Sequence, residues 1–397
     1  MHQKLRLITL QHQGLTKARP FGLGCQATLS AIEHLGYVQI DTLSVVERAH
    51  HHTLWSRIPD YQPDYLRQLV LQRSVFEYWF HAASYLPMND YRFALPQMSA
   101  VRRGESSFSP KVESKYMRHV LDRIRVDGPL KARDFQSTKS GSSKWWNWKP
   151  AKRALERLFL QNDLMITDRV GMEKVYDLTE RVLPDNINTK EPSLLEFAEY
   201  LVNLSIRANG FTILKQLTHL RKGEKIRKAL VTVLKQKIED GVLGEYAVEG
   251  MPPVYIEQSI LDGKINRAAP NVRILSPFDN AIIHRDRVKQ LFEFDYKLEC
   301  YVPKEKRQFG YFCLPILYQN KFVGRMDCKV HRKDSRFELI CLHLESENVV
   351  LDNFVPLFAK AVNRFAKFNQ CQSIRVANVR PKKLEKVFKR TLNACLA

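Results

Sequence analysis

An amide and a carboxylate stand two positions apart in Tyr37-Val38-Gln39-Ile40-Asp41. Read as a strand, this segment alternates, so Tyr37, Gln39 and Asp41 point one way while Val38 and Ile40 point the other. Gln39 and Asp41 then share a surface, their backbones roughly 6–7 Å apart. A carboxamide can hold a water through one donor and one acceptor, and a carboxylate can take a proton from that water or stabilise a nearby cation. The same residues also fit a plain strand end in which Asp41 caps the turn that follows. Soon afterwards the chain carries Ala49-His50-His51-His52-Thr53-Leu54-Trp55-Ser56-Arg57. Adjacent histidines point in different directions, whereas helical metal ligands prefer spacings of three or four, so no metal site is expected. Gly22-Leu23-Gly24 lacks the rest of either nucleotide-binding glycine pattern, and no cofactor is expected.

The partner is legible in the charge. Lysine and arginine number 63 against 42 acidic residues, a formal charge of +21 over 397 residues. Such an excess favours a polyanion, most commonly DNA or RNA. Arg102–Arg153 holds 14 basic against 5 acidic residues, interleaved with Trp145, Trp146 and Trp148. Arg375–Arg390 holds 7 against 1, with Lys382, Lys383 and Lys386 at helical spacing, and reads as a basic tail able to reach a phosphate backbone. Apolar runs are too short for a membrane span, and Met1–Leu7 lacks a secretory core, which predicts a cytoplasmic, nucleoid-associated protein without a membrane partner. The seven scattered cysteines form no Cys-x-x-Cys pair, so neither a disulfide framework nor a zinc ribbon is expected.

Four units are expected to position the Gln39–Asp41 pair. Residues 1–110 read as an N-terminal winged-helix-like unit containing the pair. Residues 111–190 give helix, short helix, helix and then a hairpin around Gly171, the plan of a winged helix. Residues 191–270 repeat that order, with a hairpin around Gly250. Residues 271–397 contain strand-like runs at Phe292–Val302, Phe309–Tyr318, Lys321–Lys329 and Arg336–Leu344, then a helix over Val349–Phe368 and the basic tail. This last unit reads as an antiparallel sheet or small barrel. The class is α+β. Tyr78, Trp79 and Phe80 are expected in the core rather than as a base-stacking platform.

Several of these segments occur in the same order in one known family. Tyr37–Asp41, Ala49–Arg57, Phe76-Glu77-Tyr78-Trp79, Leu275-Ser276-Pro277-Phe278-Asp279-Asn280 and Asp295–Pro303 resemble the YcaQ-type winged-helix DNA glycosylases, relatives of AlkZ, over about residues 5–370. The Gln-apolar-Asp form matches the YcaQ branch; in the AlkZ branch both polar positions are glutamine. The resemblance implies tandem winged helices in a C-shaped arrangement with a C-terminal antiparallel β-barrel. It implies monofunctional removal of cationic N7-alkylguanine and unhooking of interstrand crosslinks, with Gln39 and Asp41 as the catalytic pair. His50, His51, Trp55 and Arg57 are implied in DNA or lesion contact, and Ser276-Pro277-Phe278 in a structural turn. Double-stranded DNA is the implied partner, and a monomer is expected.

The pair suits that reaction. N7-alkylguanine carries a fixed positive charge, departs as a neutral base and needs little help from an acid, so the two carboxyl groups usual in sugar hydrolases are not required. A winged-helix transcription regulator without catalysis would explain the charge and repeated units equally well, but has no need of Gln39 and Asp41. A nuclease would gather carboxylates around magnesium, and the sequence has no such cluster.

Overall fold

In the computed structural model, all residues are described except 81, 107–108, 136–143, 220, 222, 266–269, 346–348 and 395–397. The chain opens with helices α1 (His2–His12) and α2 (Gly24–Leu35), followed by the two-residue strand β1 (Val38–Gln39). Helices α3 (Ala49–Trp55) and α4 (Pro63–Leu71) lead into strands β2 (Val75–Trp79) and β3 (Ala83–Pro87) and helix α5 (Leu95–Arg102). β3 lies between β1 and β2 in an antiparallel sheet, pairing Val38 with Tyr85 and Gln39 with Ser84.

Next come α6 (Ser114–Asp127), β4 (Leu130–Lys131), α7 (Lys144–Leu160) and a hairpin of β5 (Leu164–Val170) and β6 (Glu173–Leu178), closed by α8 (Thr179–Val182). A similar order follows: α9 (Leu194–Asn209), α10 (Leu214–Leu217), α11 (Glu224–Glu239), hairpin β7 (Gly244–Tyr246) and β8 (Val254–Ile256), then α12 (Gln258–Asp262). The hairpins expected around Gly171 and Gly250 both form. α9 begins on a complete capping box, Ser193 with Glu196, which satisfies two otherwise unpaired amides. The side chains of Trp145, Trp146 and Trp148, and residues 136–143 of the same basic segment, lie outside the described residues.

The C-terminal region differs from the expected antiparallel barrel. Strands β9 (Val272–Ile274), β10 (Cys313–Tyr318), β11 (Lys321–His331), β12 (Arg336–Leu344) and β13 (Ser373–Arg380) form one sheet in the order β13-β12-β11-β10-β9, with helix α13 (Arg285–Phe292) after β9. The sheet is mixed and open: β13 runs parallel to β12, and among the described residues no pairing closes β9 onto β13. A parallel neighbour needs a long crossover, supplied here by α14 (Leu351–Phe368). The expected basic tail is therefore largely folded, as β13 and α15 (Glu385–Ala394), with Phe388 and Leu392 buried. The strand expected over Phe292–Val302 is also absent. Phe294 and Tyr296 point inward and Asp295 and Lys297 outward, the alternation that suggests a strand, yet among the described residues no ladder partner accompanies them.

One core joins the two ends of the chain. Ala31, Ile32, Val38, Ile40 and Leu54 pack in the same cluster as Leu314, Ile316, Leu342, Phe358 and Phe365. The backing of β1 is thus the C-terminal sheet and α14. A second core joins β2 and β3, through Phe76, Tyr78 and Leu86, to Ile124, Leu155 and Leu164. Each fully buried aliphatic side chain contributes roughly 1.5–3 kcal/mol, so Val38 and Ile40 hold this segment firmly against the first core.

Candidate active site

The sequence places β1 by stopping α2 abruptly. α2 buries Ala27, Ala31, Ile32 and Leu35 and ends at Gly36, whose φ of 78° is left-handed and whose N–H bonds Ile32 O. A Cβ at Gly36 would overlap Leu204 of α9, so glycine is needed for both the turn and the close approach. Tyr37 follows at once. Its carbonyl accepts Asn280 Nδ2 at 3.0 Å, which ties the start of the strand to the Ser276–Asn280 turn.

The expected alternation is observed. Val38 is 0% exposed and Ile40 7%, while Tyr37, Gln39 and Asp41 are half-buried. Ile40 N–H donates to Ala83 O at 2.8 Å, after which the chain leaves the sheet. Asp41 Oδ1 accepts Leu43 N–H at 2.7 Å, so the capping geometry is present too and fixes the carboxylate. The following loop is pinned in turn, with Val45 O accepting Val330 N–H at 2.9 Å and Ser44 O accepting Arg332 Nη1 at 2.8 Å.

Asp41 is electrostatically unusual for so basic a protein. Burial raises its pKa above the ordinary carboxylate value, opposed by the Leu43 amide. Among the described residues, no lysine or arginine forms an ion pair with it. Burial raises the pKa of the Cys300 thiol, and the Asp41 carboxylate raises it further; for Tyr301 the causes are burial, Cys300 and then Asp41. The acid and the tip of the 293–303 loop are therefore electrostatic neighbours.

A family model for DNA glycosylase AlkZ-like proteins matches residues 32–368, which include this strand, its backing and the loop. The chain belongs to the AlkZ-like DNA glycosylase family. It is similar in structure to the DNA glycosylase AlkZ of Streptomyces sahachiroi, with a TM-score of 0.64 and 15% identity, over 95% of this chain and 99% of the other. That likeness extends the shared fold to almost the whole of both chains. The protein is accordingly a DNA glycosylase rather than a non-catalytic regulator.

In this AlkZ-like glycosylase the segment after the pair is mostly internal. His50 is 3% exposed and touches His51 and Tyr85 with its ring. His51 Nδ1 lies 2.7 Å from Tyr61 Oη, and His52 Nε2 lies 2.9 Å from Ile274 O. The His50 and His51 rings lie 4.3 Å apart while His52 turns to Ile274 and Trp55, and among the described residues no group of three or more His, Cys, Asp or Glu side chains could hold a metal. Burial pushes His51 down to about 3 and His52 to about 4, with His50 also well below its ordinary value, so all three are neutral at pH 7. Trp55 is 7% exposed, stacked 5.1 Å from Phe368 and covered by Arg364 at 4.7 Å.

Arg57 departs furthest from the expected DNA contact. Its side chain is 0% exposed and bonds Asp279, Gln13, Thr53 and Ser56. No phosphate can reach it without unfolding this region. Lys382, Lys383 and Lys386 are exposed on the β13–α15 edge, where Lys382 bonds Glu385 at 2.6 Å.

Three positioning residues have no forewarning in local sequence. Asp279 and Asn280 hold Arg57 and Tyr37 from across the chain, although their motif is visible. Glu77, in the Phe76–Trp79 segment, is buried and holds Arg169 through two 2.6 Å bonds. Tyr78 is core as expected, 1% exposed and bonded to Leu160 O. Phe80 lies 5.3 Å from the Tyr37 ring and beneath Arg221 at 4.5 Å.

Two cavities flank the sheet. One of about 60 Å³ is lined by Tyr37, Phe80, Arg221 and Asn280; another of about 310 Å³ is lined by Arg48, His50, His51, Tyr85 and Arg169. Gln39 and Asp41 line neither.

Proposed function

We propose that this glycosylase hydrolyses the N-glycosidic bond of cationic N7-alkylguanine and unhooks interstrand crosslinks built on such guanines. The observation that carries the reading is Asp41: a half-buried carboxylate beside an amide, with no cationic partner among the described residues of a +21 protein. Its charge is left for something that arrives with the substrate.

In this reading the C1′–N9 bond breaks with its electron pair moving to the base, which neutralises the ring's positive charge. The sugar becomes oxocarbenium-like, and Asp41 stabilises it. Gln39 holds a water that attacks C1′, and its proton passes to Asp41. No lysine nucleophile takes part, so the product is an abasic site in an uncut strand.

A crosslinked guanine is tethered to the opposite strand and cannot rotate out of the duplex as ordinary target bases do. The reading therefore calls for an open site. It is supported by the partial exposure of Gln39 and Asp41 at the end of β1, where the chain leaves the sheet. We read the helix-rich units ending in hairpins β5–β6 and β7–β8 as winged helices in a C-shaped arrangement that offers such a surface. His50, His51 and Trp55 then shape the wall behind the pair, and Lys382, Lys383 and Lys386 meet phosphates. Cytoplasmic action by a monomer completes the reading.

The test is release of free base from a duplex containing N7-methylguanine. Asp41→Ala should abolish release while leaving duplex binding intact, and Gln39→Ala should slow it by roughly 10²–10⁴. Unchanged release by Asp41→Ala, or equal wild-type rates on uracil, would remove the assignment.

A further inference from the structure

Asp295–Pro303 carries a family-like motif to which the reaction above gives no task. Its last large side chain, Tyr301, is 79% exposed. The loop that presents it is held at both roots. At one, Tyr296 is buried with its hydroxyl donating to Cys313 O at 2.6 Å, and Arg325 donates to Asp295 O at 3.0 Å. At the other, the Glu299 carboxylate accepts the amides of Gln308, Phe309 and Gly310 at 2.9, 2.8 and 3.0 Å. Across the tip, Val302 N–H bonds Glu299 O at 2.9 Å and Arg307 Nε bonds Val302 O at 2.8 Å. The ring is thus presented by an ordered backbone, and the entropy of fixing the loop is already spent before any partner arrives.

Around the tip, Lys297, Lys304 and Lys306 are exposed, against exposed Asp295 and Glu305. An ordered aromatic tip flanked by lysines, an electrostatic neighbour of Asp41, matches the chemistry of stacked bases on a phosphate backbone. Base–aromatic stacking is worth about 1–3 kcal/mol per base, and side chains inserted at a base step partly unstack it without extruding a nucleotide. A tethered guanine needs that kind of access, because water must reach C1′ while the base stays in the helix.

We propose that Tyr301 is a positioning residue that inserts beside the lesion and opens the neighbouring base step over Asp41. This rests on the proposed reaction for its lesion, but insertion can be read separately. In an Asp41→Ala background, 2-aminopurine next to N7-methylguanine should brighten severalfold on binding. Adding Tyr301→Ala should remove the gain, and Tyr301→Phe or Tyr301→Trp should keep it. In the otherwise native enzyme, Tyr301→Ala should lower kcat by at least about tenfold, as for a misplaced substrate, with little change in KM and an unchanged Tm. Phe or Trp should restore the rate. Fluorescence and kcat both indifferent to Tyr301→Ala would overturn the proposal. If the wild-type enzyme releases no base, the reaction fails; a Tyr301-dependent fluorescence gain on that duplex would still uphold insertion, and its absence would refute it.

Discussion

Arg57 meets both carboxylate oxygens of Asp279, at 2.7 and 2.8 Å, and neither side chain has any exposed surface. Removing one partner of such a pair strands the other charge in the interior, which costs about 3–5 kcal/mol. Asp279→Ala should therefore show a large drop in the denaturant midpoint with little change in its slope. Replacing both residues with apolar groups of similar volume should cost less than the single change. A midpoint unchanged in Asp279→Ala would show that the pair does not bear on stability. Because Asn280, the next residue, holds Tyr37, loss of this turn should also loosen β1 and slow base release.

That pair also shows where sequence reading fails. Arg57 follows a histidine-rich run in a basic protein, and nothing local announces a carboxylate 222 residues away. Charge counting treats each arginine as surface. The alternation of 37–41 is readable because burial of Val38 and Ile40 is a local pattern, and it survives although only Val38 and Gln39 join the ladder. At 292–302 the same logic misleads: a period of two reports which side faces the core, not whether a neighbour supplies hydrogen bonds. β13 escapes notice for the opposite reason. Ile374, Val376 and Val379 turn inward while Arg375 and Arg380 face outward, and the dense positive charge hides a parallel edge strand. The barrel expectation fails with it.

Asp41 gives the activity a definite pH limb. Its pKa is raised by burial, and the ionised form does the work in the proposed reaction. Activity should fall as pH drops through a midpoint above the ordinary carboxylate value. The sign for stability is opposite: the folded state takes up this proton more readily than the unfolded state, so ionisation disfavours folding. Asp41→Asn keeps an acceptor for the Leu43 amide while removing the charge. It should abolish release yet melt no lower, and slightly higher, than wild type at pH 7. A clear fall in Tm would contradict the account of Asp41 as a carboxylate held at a cost to stability.

The buried histidines act on stability in the acid range. His51 and His52 sit at about 3 and about 4 in the folded protein because burial disfavours their charged forms. An unfolded histidine titrates near 6.5, so the unfolded state binds more protons below that pH. Stability should be lost progressively as pH falls from about 6.5, by roughly 2 kcal/mol per histidine on reaching pH 5. Calorimetry at pH 7 and pH 5 should show the fall, and His52→Gln should flatten it. Equal Tm values at the two pH values would rule this coupling out.

The lysines on the β13–α15 edge should be unequal. Lys382 and Lys389 both bond Glu385, at 2.6 and 2.8 Å, so part of their charge is answered within the protein. Lys383 and Lys386 are exposed and carry no such bond among the described residues. Each phosphate contact contributes about 0.9 to the slope of log K against log salt. Neutralising Lys383 and Lys386 together should lower that slope by between about 1 and 2, whereas Lys382→Gln alone should change it less. Glu385→Gln, which frees both bonded lysines, should tighten binding at low salt. A slope that ignores all three changes would move the phosphate track away from this edge and leave α15 as a cover for Phe354 and Phe358 alone.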